Sequence, residues 1–216
     1  MTVLITGANR GIGKALFDGY RTRGETVFGT HRAPEEDNML QLDVIDPASQ
    51  CALATRLKGQ PIDLLVCNAG VNLDRDERLE SGYRSQLWEA TFAANVTGVF
   101  MTVQSLLSNL RLSDHPKIAI IGSQMGSSEI ASGGGYIYRA SKAAVLNLGR
   151  NLAMDLQSEG FGVGVYHPGW VRTDMGGPNA AISMEESADG LMARFDTLGP
   201  ETTGVFENWD GRPHPY

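Results

Sequence analysis

Tyr138 and Lys142 stand four residues apart, a spacing that puts both side chains on one face of a helix. A free phenol titrates near pH 10, too high for an acid or base at neutral pH. A cation beside it is expected to lower that value by roughly 1–3 units and make Tyr138 usable in general acid/base catalysis. Tyr-x-x-x-Lys is common by chance, so its meaning rests on its company. Ser123, in Gly122-Ser123-Gln124-Met125-Gly126, follows the apolar run Lys117–Gly122 and is placed to hydrogen-bond a carbonyl oxygen beside Tyr138. Asn95 faces inward from an uncharged helix and is placed to hold a water near Lys142. Singly, Ser123 also reads as a turn residue and Asn95 as a satisfied buried amide; the four in this order read as a proton-transfer site.

Upstream, Thr6-Gly7-Ala8-Asn9-Arg10-Gly11-Ile12-Gly13 joins a β-branched run to a helical stretch. Gly7, Gly11 and Gly13 fall where a tight turn, close approach to a pyrophosphate and tight helix packing need a missing Cβ. A helix starting near Gly11 aims its free N–H groups at phosphate. The order Gly-x-x-x-Gly-x-Gly differs from the usual Gly-x-Gly-x-x-Gly and also suits an ordinary loop, but the strand-to-helix setting points to a dinucleotide. The second strand ends Gly29-Thr30-His31-Arg32. No carboxylate stands there for a ribose 2′-hydroxyl, whereas Arg32, helped by Arg10, suits a 2′-phosphate. NADP(H) is expected in preference to NAD(H), with Arg32 as a mere surface arginine the competing reading.

Positioning these groups falls to β-branched runs at Val3–Thr6, Thr26–Thr30, Met39–Val44, Asp63–Cys67, Lys117–Gly122, Gly162–Tyr166 and Thr203–Phe206. They alternate with helical stretches at Lys14–Arg23, Pro47–Leu57, Leu87–Leu110, Tyr138–Ser158 and Met184–Leu198. The alternation predicts the α/β class: a single doubly wound Rossmann domain over residues 1–216, with a mostly parallel seven-stranded sheet flanked by helices on both faces. The charged run Asp74-Arg75-Asp76-Glu77-Arg78 reads as a solvated loop.

Of 216 residues, 42% are hydrophobic and 20% charged, which excludes disorder as the main state. Eighteen Lys and Arg against 25 Asp and Glu leave a net charge of −7, which argues against nucleic acid as a partner. Cys51 and Cys67 lie in apolar stretches with no CxxC partner, predicting two buried free thiols in a reducing compartment. The stretch Met1–Gly7 lacks a basic start and reads as a strand, not a signal peptide; a cytoplasmic location is the expectation. Thr91–Leu110 carries no charge, but Asn95, Thr97, Thr102, Gln104, Ser105, Ser108 and Asn109 are expensive in lipid, so a buried or subunit-facing helix is expected and no membrane partner. His31, His115, His167 and His214 make no ligand set, and no metal is expected.

Together the motifs resemble the short-chain dehydrogenase/reductase family over nearly the whole chain. The matching pieces are Thr6–Gly13, Asp43-Val44, Asn68-Ala69-Gly70, Asn95, Ser123, Tyr138 with Lys142, and Pro168-Gly169-Trp170-Val171-Arg172-Thr173. The resemblance implies a catalytic group of Asn95, Ser123, Tyr138 and Lys142. Its implied cofactor site takes in Gly7, Asn9, Arg10, Gly11, Ile12, Gly13, Val44, Pro168 and Gly169. Within that site it implies that Asp43 contacts adenine, Asn68–Gly70 line the cleft, Lys142 holds the nicotinamide ribose, and Val171 and Thr173 bind the carboxamide. Helices Leu87–Leu110 and Tyr138–Ser158 are the surfaces through which family members commonly pair, implying a homodimer or homotetramer. Gly133–Lys142 and the ending Asn208-Trp209-Asp210-Gly211 resemble the compact C-factor-like branch. Asp174–Ile182 is shorter than the usual substrate-covering loop, implying an open site.

These residues suit hydride transfer from NADPH to a small-molecule carbonyl whose oxygen is held by Ser123 and protonated by Tyr138, while Lys142 lowers the Tyr138 pKa. Alcohol oxidation is the reverse. A second reading is a cofactor-binding signalling or redox-sensing protein of C-factor type without physiological turnover. A sugar-nucleotide epimerase would need a larger lobe than the chain leaves room for. Trp170, Met125 and Met175 flank the motifs, on the substrate side or as packing.

Overall fold

The runs Val3-Leu4-Ile5, Leu64-Leu65-Val66 and Ile118-Ala119-Ile120 have no polar interruption, and each residue in them is fully buried. Strands with no wet face belong inside a parallel sheet covered by helices. The computed structural model describes residues 1–34 and 39–216. In chain order its elements are β1 (Thr2–Ile5), α1 (Gly11–Thr22), β2 (Thr26–His31), β3 (Met39–Gln41), α2 (Pro47–Arg56), β4 (Leu64–Cys67), α3 (Ser85–Phe92), α4 (Gly98–Leu110), β5 (Lys117–Ile121), α5 (Tyr136–Leu156), β6 (Gly162–His167), α6 (Met184–Thr197) and β7 (Val205–Asn208). The sheet order is β3-β2-β1-β4-β5-β6-β7, and every neighbouring pair is parallel. The order reverses between β1 and β4, where open α/β sheets bind ligands at the strands' carboxyl ends.

Alternation along the strands divides the core in two. Leu4, Leu65, Ile118, Ile120, Val163 and Val165 pack with Leu53 of α2, Val103 and Leu106 of α4, and Val145 of α5. Val3, Ile5, Leu64, Val66 and Tyr166 pack on the opposite face with Leu16 and Phe17 of α1 and Leu191 and Phe195 of α6. Each such side chain removed from water contributes about 1.5–3 kcal/mol. This is the doubly wound α/β fold that the alternation predicts.

Boundaries differ from the sequence expectations at informative places. The helix expected over Leu87–Leu110 starts at Ser85 and passes through a π-turn at Ala93–Thr97. The last strand begins after Gly204 because Gly204 takes a left-handed φ of 83°. Cys51 is exposed, correcting the expectation of two buried thiols. Its neighbours Gln50 and Leu53 take the buried face of α2, which turns position 51 to solvent.

By length and composition the Ser85–Leu110 stretch is apolar enough to cross a bilayer. It packs on the sheet, and two of its buried polar side chains are bonded inside the protein: the Thr102 hydroxyl donates to the Gly98 carbonyl at 2.7 Å, and the Asn109 amide donates to the Leu57 and Gln60 carbonyls at 2.6 and 2.8 Å.

Candidate active site

Thr6 directly follows β1 with its side chain buried, and its hydroxyl accepts the backbone N–H groups of Asn68 (2.9 Å) and Ala69 (3.0 Å). The Asn68 amide donates back to the carbonyls of Thr6 (2.9 Å) and Gly7 (3.1 Å). These bonds lock the glycine turn to the loop after β4. A Cβ on Gly13 would run into the Gly7 carbonyl and the Asn68 amide, while Gly7 and Gly11 take left-handed φ of 67° and 57°. The Arg10 side chain makes no cap for α1, and the first turn of α1 holds no acidic residue. Its leading N–H groups thus face the cleft at the positive end of the helix dipole, a fit for a pyrophosphate.

One cleft of about 1080 Å³ runs along the strand ends. Of the residues expected from the sequence, Gly7, Asn9, Arg10, Gly11, Ile12, Gly13, Arg32, Asp43, Val44, Asn68, Ala69, Gly70, Tyr138, Lys142, Pro168 and Thr173 line it. Asn95, Ser123, Gly169 and Val171 are not among the cleft's lining residues. Val171 is buried and paired with Ile182, and Gly169 packs towards Ile182 and Trp209. Leu73, Arg172, Pro178 and Met184 also line the cleft and were not singled out from the sequence. Met175 lines it as well, whereas exposed Trp170 uses its indole N–H to bond the Gly176 carbonyl at 2.8 Å.

Arg32 is exposed at the cleft rim and makes no ion pair with a described residue. Arg10 reaches across to Asp174 at 2.7 Å, with both side chains largely exposed. Such surface pairs contribute about 0.2–1 kcal/mol, little enough for an anion in the cleft to displace.

Ser123 stands just past β5, buried, with its hydroxyl accepting the Met125 N–H at 3.1 Å. The short turn that follows lies against the helix backbone: a Cβ on Gly126 would come within 2.6 Å of the Lys142 carbonyl carbon. Tyr138 is buried in the first turns of α5. Its phenol is pushed up to about 12, chiefly by burial; hydrogen bonding from Ser123 opposes this and the negative charge of Asp74 adds to it. This differs from the lowering by Lys142 that the spacing predicts. The Lys142 ammonium donates to the Ile121 carbonyl at 2.7 Å and stands 5.7 Å from the centre of the phenol ring. Burial pulls its own pKa down to about 8.

The linkage of Lys142 to stability has a definite sign. Between about pH 8 and the unperturbed 10.5, the unfolded chain holds a proton that the folded chain has lost, so stability rises with pH across that window. Below it the full penalty, about 3 kcal/mol, is present. Lys142→Met, which loses about 1 kcal/mol with the bond to Ile121, is expected to melt a few °C above wild type at pH 7. The gap should close as pH approaches 10.5. Calorimetry finding a melting temperature at or below wild type at pH 7 would contradict the cost of this burial.

Asn95 is buried in the π-turn behind Gly70. Its amide oxygen accepts the Val71 N–H at 2.8 Å, and its NH₂ donates to the Val71 carbonyl (2.9 Å) and the Ser141 hydroxyl (3.0 Å). Ser141 in turn donates to the Tyr138 carbonyl at 2.8 Å. The side chain is thus a clamp between the cleft floor and α5, with both of its N–H groups bonded to protein.

Asp74 corrects the reading of its charged run as a solvated loop: it is fully buried and accepts the N–H groups of Ile137 (2.8 Å) and Tyr138 (3.2 Å). The helix it caps starts more than sixty residues away in the chain, so no local pattern marks it. Tyr136, two residues before Tyr138, is 41% exposed and packs edge-on against Tyr83.

The short chain dehydrogenase family model matches residues 1–182. C-signal of Myxococcus xanthus is 36% identical over 177 residues, covering 76% of this chain and 99% of that protein. The NADPH-bound carbonyl reductase from chicken fatty liver superposes with a TM-score of 0.90 at 29% identity, covering 100% of this chain and 98% of that one. A short-chain dehydrogenase/reductase from Burkholderia multivorans with bound NADP gives 0.86 at 30% identity, covering 100% and 99%. With the glycine turn, the strand order and the Ser-Tyr-Lys group all in place, this chain belongs to the short-chain dehydrogenase family of oxidoreductases.

Proposed function

We propose that the protein is an NADP(H)-dependent carbonyl reductase whose general acid is Tyr138. The observation that carries this reading is geometric: the buried phenol of Tyr138 stands on the cleft wall next to Ser123, beyond a glycine turn shaped for a dinucleotide. When bound, the nicotinamide supplies a hydride to the carbonyl carbon or takes one from the alcohol. Ser123 holds the substrate oxygen, and Tyr138 gives its proton to that oxygen in reduction and takes one back in oxidation. A phenol held neutral favours the donating direction at neutral pH. Lys142 orients the cofactor ribose, Asn68–Gly70 form the floor, and Asp43 and Val44 flank the adenine end. Leu73, Met175, Pro178 and Met184 give the cleft apolar side chains, fitting a small carbonyl compound. The same reading takes the enzyme as cytoplasmic and as a homodimer or homotetramer.

The bound NADPH of the chicken enzyme and NADP of the Burkholderia one support the cofactor choice, as does Arg32 at the adenine-side rim. Steady oxidation of NADPH with a panel of aldehydes, ketones and quinones is expected. In Arg32→Ala the Kd for NADPH should rise about tenfold to a hundredfold, the loss of charge-assisted bonds to a phosphate, with the Kd for NADH unchanged. Equal effects on both cofactors would remove Arg32 from the assignment. The match to C-signal favours a second reading, a cofactor-binding signalling protein, which cofactor binding without turnover across the panel would support.

A further inference from the structure

The first turn of α5 carries the acid of the proposed reaction, yet nothing local caps it. Gly135, the residue before it, takes a left-handed φ of 55° and has no side chain to offer. The cap comes from Asp74, on the loop after β4: Oδ2 accepts the Ile137 N–H at 2.8 Å and Oδ1 the N–H of Tyr138 itself at 3.2 Å. Both oxygens acting as acceptors is the pattern of a carboxylate. Asp74 is wholly buried and makes no ion pair with a described residue. Burying an acid is costly, and a neutral serine or threonine would cap a helix as well. Its loop is held at the other end by Asn95, which bonds both backbone groups of Val71. The segment between the two clamps carries Leu73, part of the cleft wall.

We propose that Asp74 is a positioning residue for proton transfer, a helix cap supplied across the cleft that ties the main chain of Tyr138 to the cofactor floor and sets where the phenol stands beside Ser123. The inference rests on the reading of Tyr138 as the acid. The charge of Asp74 also disfavours the phenolate, adding to the effect of burial. The ionisable groups around the phenol are Asp74 from this loop and Lys142 from α5 itself, with the Ser123 hydroxyl facing it from the end of β5. Asp74 thus acts on where the proton is held as well as on where it is delivered.

Asp74→Asn keeps the shape and removes the charge. With NADPH and 4-nitrobenzaldehyde as probe, kcat is expected to fall about tenfold or more, in line with a misplaced acid, with KM and the Kd for NADPH within about twofold. In protein labelled with ¹³C at tyrosine Cζ, with Tyr138→Phe identifying the resonance, the onset of Tyr138 titration should move down by about one pH unit or more. That readout needs no turnover and reports the charge of Asp74, while the fall in kcat at unchanged KM reports the placement of the acid. A folded Asp74→Asn with wild-type kcat and an unmoved Tyr138 titration overturns the proposal. Rapid hydrogen exchange at the Ile137 and Tyr138 amides of the wild-type protein overturns it without any variant. Wild-type turnover by Tyr138→Phe would instead overturn the reading of Tyr138 as the acid, leaving the exchange and titration results to judge Asp74 separately.

Discussion

Tyr138→Phe is expected to lower kcat by about 10²–10⁴-fold, the range for loss of a positioned general acid, while NADPH binds with an unchanged Kd. The substitution removes one hydroxyl and leaves the ring, which is buried and packed, so the fold has no reason to change. Lys142 and the glycine turn, the proposed cofactor contacts, keep their partners in β5 and in the loop after β4. Steady-state kinetics on an active carbonyl from the panel, together with fluorescence titration of NADPH, check both halves. A variant that turns over at the wild-type rate would mean that the proton comes from elsewhere. Tyr136 is ill placed to substitute: it is exposed, leans on Tyr83, and has Ala140 where Tyr138 has Lys142.

The second large effect is expected at Gly13. Its missing Cβ leaves room for the Gly7 carbonyl and the Asn68 amide, the two groups that join the turn to β4. In Gly13→Ala the added methyl meets backbone on one side and a twice-bonded amide on the other, and neither swings away freely. Overpacking of this kind costs about 1–3 kcal/mol, and breaking the amide's bonds adds about 1 kcal/mol each. At about 2–4 °C per kcal/mol for a chain of this size, a fall in melting temperature on the order of 10 °C follows. Cofactor affinity should fall by about a hundredfold or more, because the displaced turn is the phosphate cradle. Thermal unfolding and NADPH titration measure the two effects, and wild-type values in both would show that the turn has slack.

How far these properties were legible in the sequence depended on how local they are. The strands buried on both faces were readable because β1, β4 and β5 carry apolar residues without alternation, and the glycine turn because its constraint lies within eight residues. Tyr138 and Lys142 were found through one helical period. The phenol's upward shift was not readable, since it comes chiefly from burial, with the charge of Asp74 adding to it; the Lys142 ammonium meanwhile bonds the Ile121 carbonyl. Asp74 was hidden for a similar reason. Its neighbours Arg75, Asp76 and Arg78 are exposed as a charged run should be, and only the arrival of a distant helix start draws that one acid inside. Cys51 was misread because its apolar surroundings do not tell which side of α2 faces the sheet.

The π-turn at Ala93–Thr97 gives the helix one residue more than a regular α-helix holds over the same span. On one side of it Thr91 is buried, and on the other Val99, Val103 and Leu106 stay turned to the sheet. The extra residue is therefore taken up within a single widened coil that contains Asn95, and neither flank is rotated out of its packing. The Asn95 amide is thus carried by a widened coil inside a helix whose apolar contacts with the sheet continue beyond it. By the same geometry, shortening that coil by one residue would return an ordinary helix and erase the amide's reach to Val71, altering the site while sparing the scaffold.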